Sequence, residues 1–175
     1  MLAALGARMV LTKEELVASL QNEVRILLHL VSKIDRSQLN YRPTHNQRST
    51  LELLRYLSVM GPELIAYVRL GAFDRAAWQA SLAAADRLDF DQVLETIGRQ
   101  ATRYADLISE FSEADFRGEV EMFFRKASRG SIIVNIVLCG CAAYRAQLFL
   151  YLKACGREEL STANLWAGVD AVTTA

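Results

Sequence analysis

The sequence predicts an all-α protein, a four-helix bundle whose helices are joined by uneven connections. Three observations predict it. First, Thr12-Lys13-Glu14-Glu15, Ser49-Thr50-Leu51-Glu52 and Asp89-Phe90-Asp91-Gln92 are capping boxes. In each, the first side chain accepts from a free amide one turn on and the fourth reaches back. Second, apolar residues recur three and four apart over long stretches, the period of a helix with one buried face. Third, the last apolar stretch, residues 131–155, is closed by Gly156, which enters the left-handed region freely and stops a helix.

The elements follow in order. The first helix runs from Thr12 to about Ile34, with Leu16, Leu20, Val24, Leu27, Val31 and Ile34 on one stripe and Arg25 and His29 opposite. A polar loop around Pro43 follows, and His45 lies in it. The second helix begins after Ser49 and is kinked or interrupted at Gly61-Pro62, because proline removes a backbone bond and crowds the turn before it. It ends near Gly71. Asp74 to Arg87 holds a short extra helix with Trp78 and Leu82 facing inward. The third long helix carries Phe90, Leu94, Ile97, Ala101, Tyr104, Ile108 and Phe111 on its core stripe. Residues 113–130 lose the helical rhythm; Val120, Met122 and Phe124 alternate weakly, which suits an extended or looped crossover. The fourth helix, residues 131–155, is apolar on nearly every face, the signature of a buried bundle helix. The core thus spans about residues 11–156, and residues 157–175 form a tail in which Trp166 packs onto the bundle or onto a partner subunit.

Composition bounds the function. The chain has 175 residues, 52% hydrophobic and 23% charged, which suits a single domain with one core. Lys plus Arg and Asp plus Glu are 20 each. With no cationic excess to meet a phosphate backbone, a nucleic-acid partner is not expected. Three cysteines are too few for a disulfide framework, and Cys139 and Cys141 diverge on a helix, so a reducing, cytoplasmic setting follows. The opening Met1-Leu2-Ala3-Ala4-Leu5-Gly6-Ala7 has no basic residue ahead of its short apolar run, so a frayed start or translation from Met9 is expected over a signal peptide. The run from Ile132 to Tyr144 is shorter than the roughly 20 residues that span a bilayer, and no membrane partner is expected.

The stretch Cys139-Gly140-Cys141-Ala142-Ala143-Tyr144-Arg145-Ala146-Gln147 resembles the last-helix signature of the DinB-like (DinB/YfiT) four-helix-bundle superfamily, in which a His-x-x-x-His pair runs into Arg-x-Gln and a terminal Gly. Arg145, Gln147 and Gly156 match; Gly140 and Tyr144 stand at the two histidine positions. The family's third histidine follows a Ser-x-x-Glu-Leu-Leu start on the second helix, and here Ser49-Thr50-Leu51-Glu52-Leu53-Leu54-Arg55 leads to Tyr56. The resemblance covers about Leu11 to Gly156 and implies a bundle with a crossover before its last helix. It also implies an open site for nickel or zinc, thiol-dependent transferase, isomerase or hydrolase activity, and pairing as a homodimer.

The residues contradict the metal part of that implication. Gly140 offers no ligand, and Tyr56 and Tyr144 are phenols with an ordinary pKa of about 10, poor partners for borderline metals. No metal or other cofactor is therefore expected. The candidate residues are Tyr56, Gly140, Tyr144, Glu52, Arg145 and Cys141. Two roles compete for them. In one, Tyr56 and Tyr144 fill the vacated site, hydrogen-bonding each other, Glu52 or a water. In the other they line a pocket, walled by Arg55, Arg145 and residues 125–129, for a small anionic or amphipathic ligand. Cys141 reads as a buried inert thiol, Glu52 as the capping partner of Ser49, and both histidines as solvent-facing. The sequence predicts a metal-free ligand-binding or interaction module acting as a homodimer, with Phe149, Tyr151 and Trp166 as interface aromatics. The alternative is a thiol-dependent transferase or hydrolase with a non-standard metal site.

Overall fold

A computed structural model describes residues 11–171, so the expectations for Met1 to Met9 lie outside the described residues. The first helix, α1, spans Lys13–Val31, and α2 spans Thr50–Leu70. The short α3 is Arg75–Ala85 and the long α4 is Phe90–Ser109. A single turn, α5, occupies Glu113–Arg117 before two short strands, β1 (Glu119–Met122) and β2 (Arg125–Ser128). The chain then enters α6 (Arg129–Ile132), a π-helical stretch (Ile133–Leu138) and α7 (Cys139–Ala154). These three run on as one helix, Arg129–Ala154.

Local chemistry explains the boundaries. Thr12, Ser49 and Asp89 each form the reciprocal capping box that the sequence predicts. The last helix starts two residues earlier than expected because Ser128, not Ser131, caps it: the Ser128 hydroxyl accepts from the Ser131 amide at 3.2 Å. Gly71 and Gly156, at φ of 72° and 90°, end α2 and α7.

Of the kink or interruption expected at Gly61-Pro62, the interruption does not occur: α2 runs through Pro62 unbroken. An interior proline costs about 3 kcal/mol. A capping box at one end, a left-handed glycine at the other and the buried Met60, Leu64, Ile65 and Val68 between offset that cost. Gly61 serves packing instead. The Tyr104 hydroxyl of α4 sits where a Gly61 side chain would be, which lets the two helices approach closely. The α4 helix packs on both α1 and α2; of its expected stripe, Phe90, Ile97, Tyr104, Ile108 and, just past the helix end, Phe111 are buried, while Leu94 and Ala101 are partly so.

The crossover is a hairpin. Met122 pairs with Arg125, leaving Phe123 and Phe124 as a two-residue turn. Both have positive φ, 52° and 63°. That turn geometry favours Asn-Gly, and each left-handed phenylalanine costs roughly 1–2 kcal/mol. The ring of Phe123 packs on Phe73 at 5.7 Å, while Phe124 is fully exposed.

Two further expectations change. The last helix is not buried on all faces. It carries one of the longest apolar runs of the chain, at a mean hydropathy of 1.6, yet only 28% of that window is buried. By length and composition it could cross a membrane; in the bundle its Ile132, Ile133, Val137, Leu148 and Leu152 face the core. Nor is His29 solvent-facing, for its side chain is 16% exposed. The tail folds back across α1, where Arg25 donates to the carbonyls of Ala167 and Gly168. His45, by contrast, is exposed in its loop.

The tail contact fixes the state of His29. The Ser161 amide donates to Asn164 Oδ1 at 2.8 Å, so the Asn164 amide nitrogen points to His29 Nε2, 3.1 Å away, and to Asp170. His29 Nε2 must then accept, which the neutral ring alone can do. Burial, together with the cations Lys33 and Arg25, holds the imidazole below its ordinary pKa of 6.5, opposed by Asp170.

Two outcomes are expected from these contacts. Gly61→Ala drives a methyl into Tyr104 and costs about 1–3 kcal/mol, which a denaturant titration will show as a lower midpoint at unchanged slope. Because the folded pKa of His29 is depressed, its stabilisation is complete above about pH 6.5 and is lost as the pH falls below that value. Melting temperatures should therefore fall with acidification through that window in the wild type and stay flatter in His29→Gln.

Candidate functional site

The three positions that the sequence singles out lie along one seam between α2 and α7. The Tyr56 and Tyr144 rings meet edge to face, with centroids 5.2 Å apart and planes at 69°. Gly140 is one turn before Tyr144, and a side chain there would touch the Met60 thioether at 3.4 Å. Met60 is in turn one turn beyond Tyr56 on α2. The seam is therefore closed by two phenols at one level and by a methionine lying against a glycine at the next.

The two phenols are in direct contact: their rings pack as aromatics, an arrangement worth about 0.5–1.5 kcal/mol beyond area burial, and the Tyr144 hydroxyl acts on that of Tyr56 by charge and hydrogen bonding. Glu52 is occupied elsewhere. It accepts from the Ser49 amide at 2.7 Å and pairs with Arg42 at 3.1 Å, which hold its carboxyl below the ordinary range. Burial, and next the Tyr144 phenol, raise the Tyr56 hydroxyl well above 10, against the opposing Arg48 charge. Tyr56 is neutral at physiological pH.

A cleft of about 340 Å³ opens on the outer side of Tyr56. It lies between the N-terminal half of α2 and the end of α3, lined by Arg48, Glu52, Arg55, Tyr56, Leu82 and Asp86. The Arg48 guanidinium stacks over the Tyr56 ring, 4.0 Å from its centroid. Arg55 is tied by two bonds to the Leu88 carbonyl at 2.8 and 2.6 Å, which fixes the chain between α3 and α4. Trp78 packs edge to face against Tyr56, with centroids 6.2 Å apart. Arg48 and Asp86 are site residues that sequence reasoning missed. Arg48 sits in a loop just ahead of a helix cap, where no periodicity marks it, and Asp86 caps the end of α3.

Two candidates and one proposed wall fall outside this site. Arg145 projects the other way, to α1. It is 4% exposed and forms a two-point ion pair with Glu23, at 2.7 and 3.2 Å. Its remaining donor reaches the Leu165 carbonyl, and Trp166 stacks on it at 5.4 Å. Tyr144 and Arg145 are adjacent on a helix and so diverge by about 100°. Cys141 shares the Arg145 side and lies 4.0 Å from the Tyr104 hydroxyl. Burial pushes its thiol up to about 12, so it stays protonated and unreactive. The wall expected from residues 125–129 is also absent from the cleft. Arg129 donates to the Val68 carbonyl, twelve residues or roughly 18 Å along α2 from Tyr56.

The donor set does not fit a metal. Two neutral phenols and a glycine occupy the seam, Met60 closes its second level, and the Cys141 thiol faces Tyr104 on another side. Among the described residues no three His, Cys, Asp or Glu side chains gather into a possible metal site. Tyr144→His introduces one imidazole beside a phenol and a glycine, so zinc titration by calorimetry should give no tight site; submicromolar uptake by that variant would show that other ligands converge there.

No family model matches the chain, and no curated protein matches it. Among solved structures, the crystal structure of a DinB-like protein from Bacillus subtilis, YjoA, superposes with a TM-score of 0.62. The alignment covers 83% of this chain and 94% of that one at 14% identity. At that identity the likeness speaks for architecture alone, and the chain has the DinB-like, all-α bundle fold.

Proposed function

We propose that the chain is a metal-free small-ligand-binding and interaction module of DinB-like fold that acts as a homodimer in a reducing, cytoplasmic setting. The observation that carries the ligand reading is Arg48. Its guanidinium lies on the Tyr56 ring at the edge of the cleft, pairs with no carboxylate among the described residues, and leaves its planar fork of donors facing solvent. A small carboxylate with an apolar body matches that lining: its head would meet Arg48, and its body would lie along Tyr56, Leu82 and Ala85. Of the two carboxylates in the lining, Glu52 is neutralised by Arg42, which leaves Asp86 as the one opposing charge.

The homodimer is supported by what the bundle leaves uncovered. The last helix keeps most of its apolar window outside the core, and Leu150 and Trp166 are 64% and 68% exposed. Of the aromatics first expected at an interface, Phe149 is half-buried and Trp166 open. Tyr151 is 2% exposed and its hydroxyl donates to the Arg48 carbonyl, so it serves the fold. The three cysteines are free thiols, in keeping with a reducing compartment. The rival reading, a thiol-dependent transferase or hydrolase with a relocated metal, gains no support from Cys141, whose thiol is buried and protonated.

Sodium octanoate titrated into the protein and followed by calorimetry tests the ligand reading. Saturable binding that Arg48→Ala weakens about tenfold or more, the worth of a charge-assisted hydrogen bond, supports it. No saturable heat into the millimolar range, or equal binding by the variant, refutes it.

A further inference from the structure

Residues 161–170 lie across α1 as a strap whose one buried side chain, Asn164, bonds to a neutral histidine, and we propose that acidification lifts this strap off the bundle as a unit.

A strap that detaches alone must be weakly held. Leu160, 4% exposed, is the last residue that belongs to the hydrophobic core, and Lys153 of α7 donates to its carbonyl at 3.0 Å. Beyond it, among residues 161–170, only Asn164 and Gly168 are buried. Gly168 packs directly on the backbone of α1, where a side chain would meet Ile26 Cα at 3.0 Å. The other ties are polar. Arg25 donates to the carbonyls of Ala167 and Gly168 at 2.8 and 3.3 Å. Arg145 donates to the Leu165 carbonyl, and Lys33 pairs with Asp170 at 2.7 Å. A segment with so little buried apolar surface opens at far lower free energy than the core it rests on. Leu160 is its hinge.

The buried contact at its centre has a direction. The Ser161 amide donates to Asn164 Oδ1 at 2.8 Å, so the Asn164 amide nitrogen is turned to His29 Nε2 at 3.1 Å and to Asp170 at 3.0 Å. A protonated ring sets N–H against N–H there. Turning the Asn164 amide over gives the imidazolium an acceptor. It then sets the amide nitrogen against the Ser161 N–H and the amide oxygen against the Asp170 carboxylate. Neither pose satisfies every group, and a buried mismatch is costly.

The charged groups facing the ring are Arg25 and Lys33, from α1 and the turn after it, and Asp170 from the strap. Asp170, 3.7 Å from Nε2, favours a charge on the ring. It is 67% exposed, however, and already shared by Lys33 and Asn164. Burial first, and then Lys33 and Arg25, make the docked ring a poorer base than the released one. The released strap therefore goes with the proton. Docking has its full strength above about pH 6.5, and below that it weakens by up to about tenfold per pH unit until the docked ring itself takes a proton. Release uncovers Arg25, His29 and Lys33, each one turn from the next.

Hydrogen exchange of the full chain, followed by NMR and expressed as protection relative to an unfolded amide, tests the release. The Leu165 and Gly168 amides donate to the Ser161 and Ala163 carbonyls and report on the strap; Leu20 and Ile97 report on the core. From about pH 7.5 to about pH 5, wild-type strap protection should fall about tenfold or more while the core keeps its own. His29→Gln supplies a carbonyl oxygen that accepts from Asn164 at any pH, so its strap protection should stay level. Level protection in the wild type overturns the proposal. An equal fall in His29→Gln overturns it too, by assigning the release to Asp170, and a fall shared by Leu20 and Ile97 makes it unfolding of the whole bundle. Where His29→Gln does not dock at neutral pH, the wild-type ring decides. Its imidazole, titrated by NMR, must change protonation over the pH range in which the strap is lost, and a mismatch overturns the release.

Discussion

The approach of α4 to α2 governs the bundle, and it rests on a tyrosine set over a glycine. Tyr104 is 1% exposed, and its hydroxyl occupies the space over Gly61. One turn earlier, Gln100 donates to the Leu57 carbonyl at 2.8 Å, and Tyr104 reaches both Gln100 and Cys141. Four bundle positions are thereby fixed by one narrow polar thread through an apolar core. A buried hydroxyl costs energy unless it is bonded, so the thread allows only one depth at which α4 and the last helix sit on α2. The seam between α2 and the last helix, with Tyr56 and Tyr144 on it, inherits its geometry from that depth.

The two sides of the last helix do different work. On one side, Arg145 has become structural. A buried ion pair is costly to form and costlier to break, about 3–5 kcal/mol when one partner is removed. Its pairing with Glu23, and its reach to the Leu165 carbonyl, commit that surface to holding the tail. On the other side, Tyr56 meets Tyr144 and offers its outer face to a cleft whose other walls are mostly charged. What that side presents is one guanidinium stacked on a ring, beside a cleft of modest volume.

The legible part of the sequence was its punctuation. The three capping boxes, the stop at Gly156 and the stripes on α1 and α4 are local or periodic, so they survive without tertiary knowledge. The illegible part depended on neighbours. Pro62 reads as a break until Tyr104 and the capped ends of α2 are in view. The hairpin carries no Asn-Gly because its turn is two phenylalanines, so its weak alternation reads only as a crossover. His29 looks solvent-facing on a helical wheel, since a wheel does not include a tail that folds back over it. The convergence of Tyr56 and Tyr144 could be read from the aligned signature, but Arg48, one residue ahead of a helix cap, could be found only by seeing where its side chain lies.

The π-helical stretch Ile133–Leu138 has an evolutionary consequence. A widened turn of this kind holds one more residue than an α-helix of equal length, so it behaves as an insertion absorbed into a helix, and such bulges gather near functional sites. Everything downstream is rotated by about 100° relative to an unbulged chain. Losing a single codon here would leave the helix long and apolar. It would nevertheless swing Tyr144 off Tyr56 and draw Arg145 away from Glu23 together, so this short segment sets the phase in which the rest of the last helix is read.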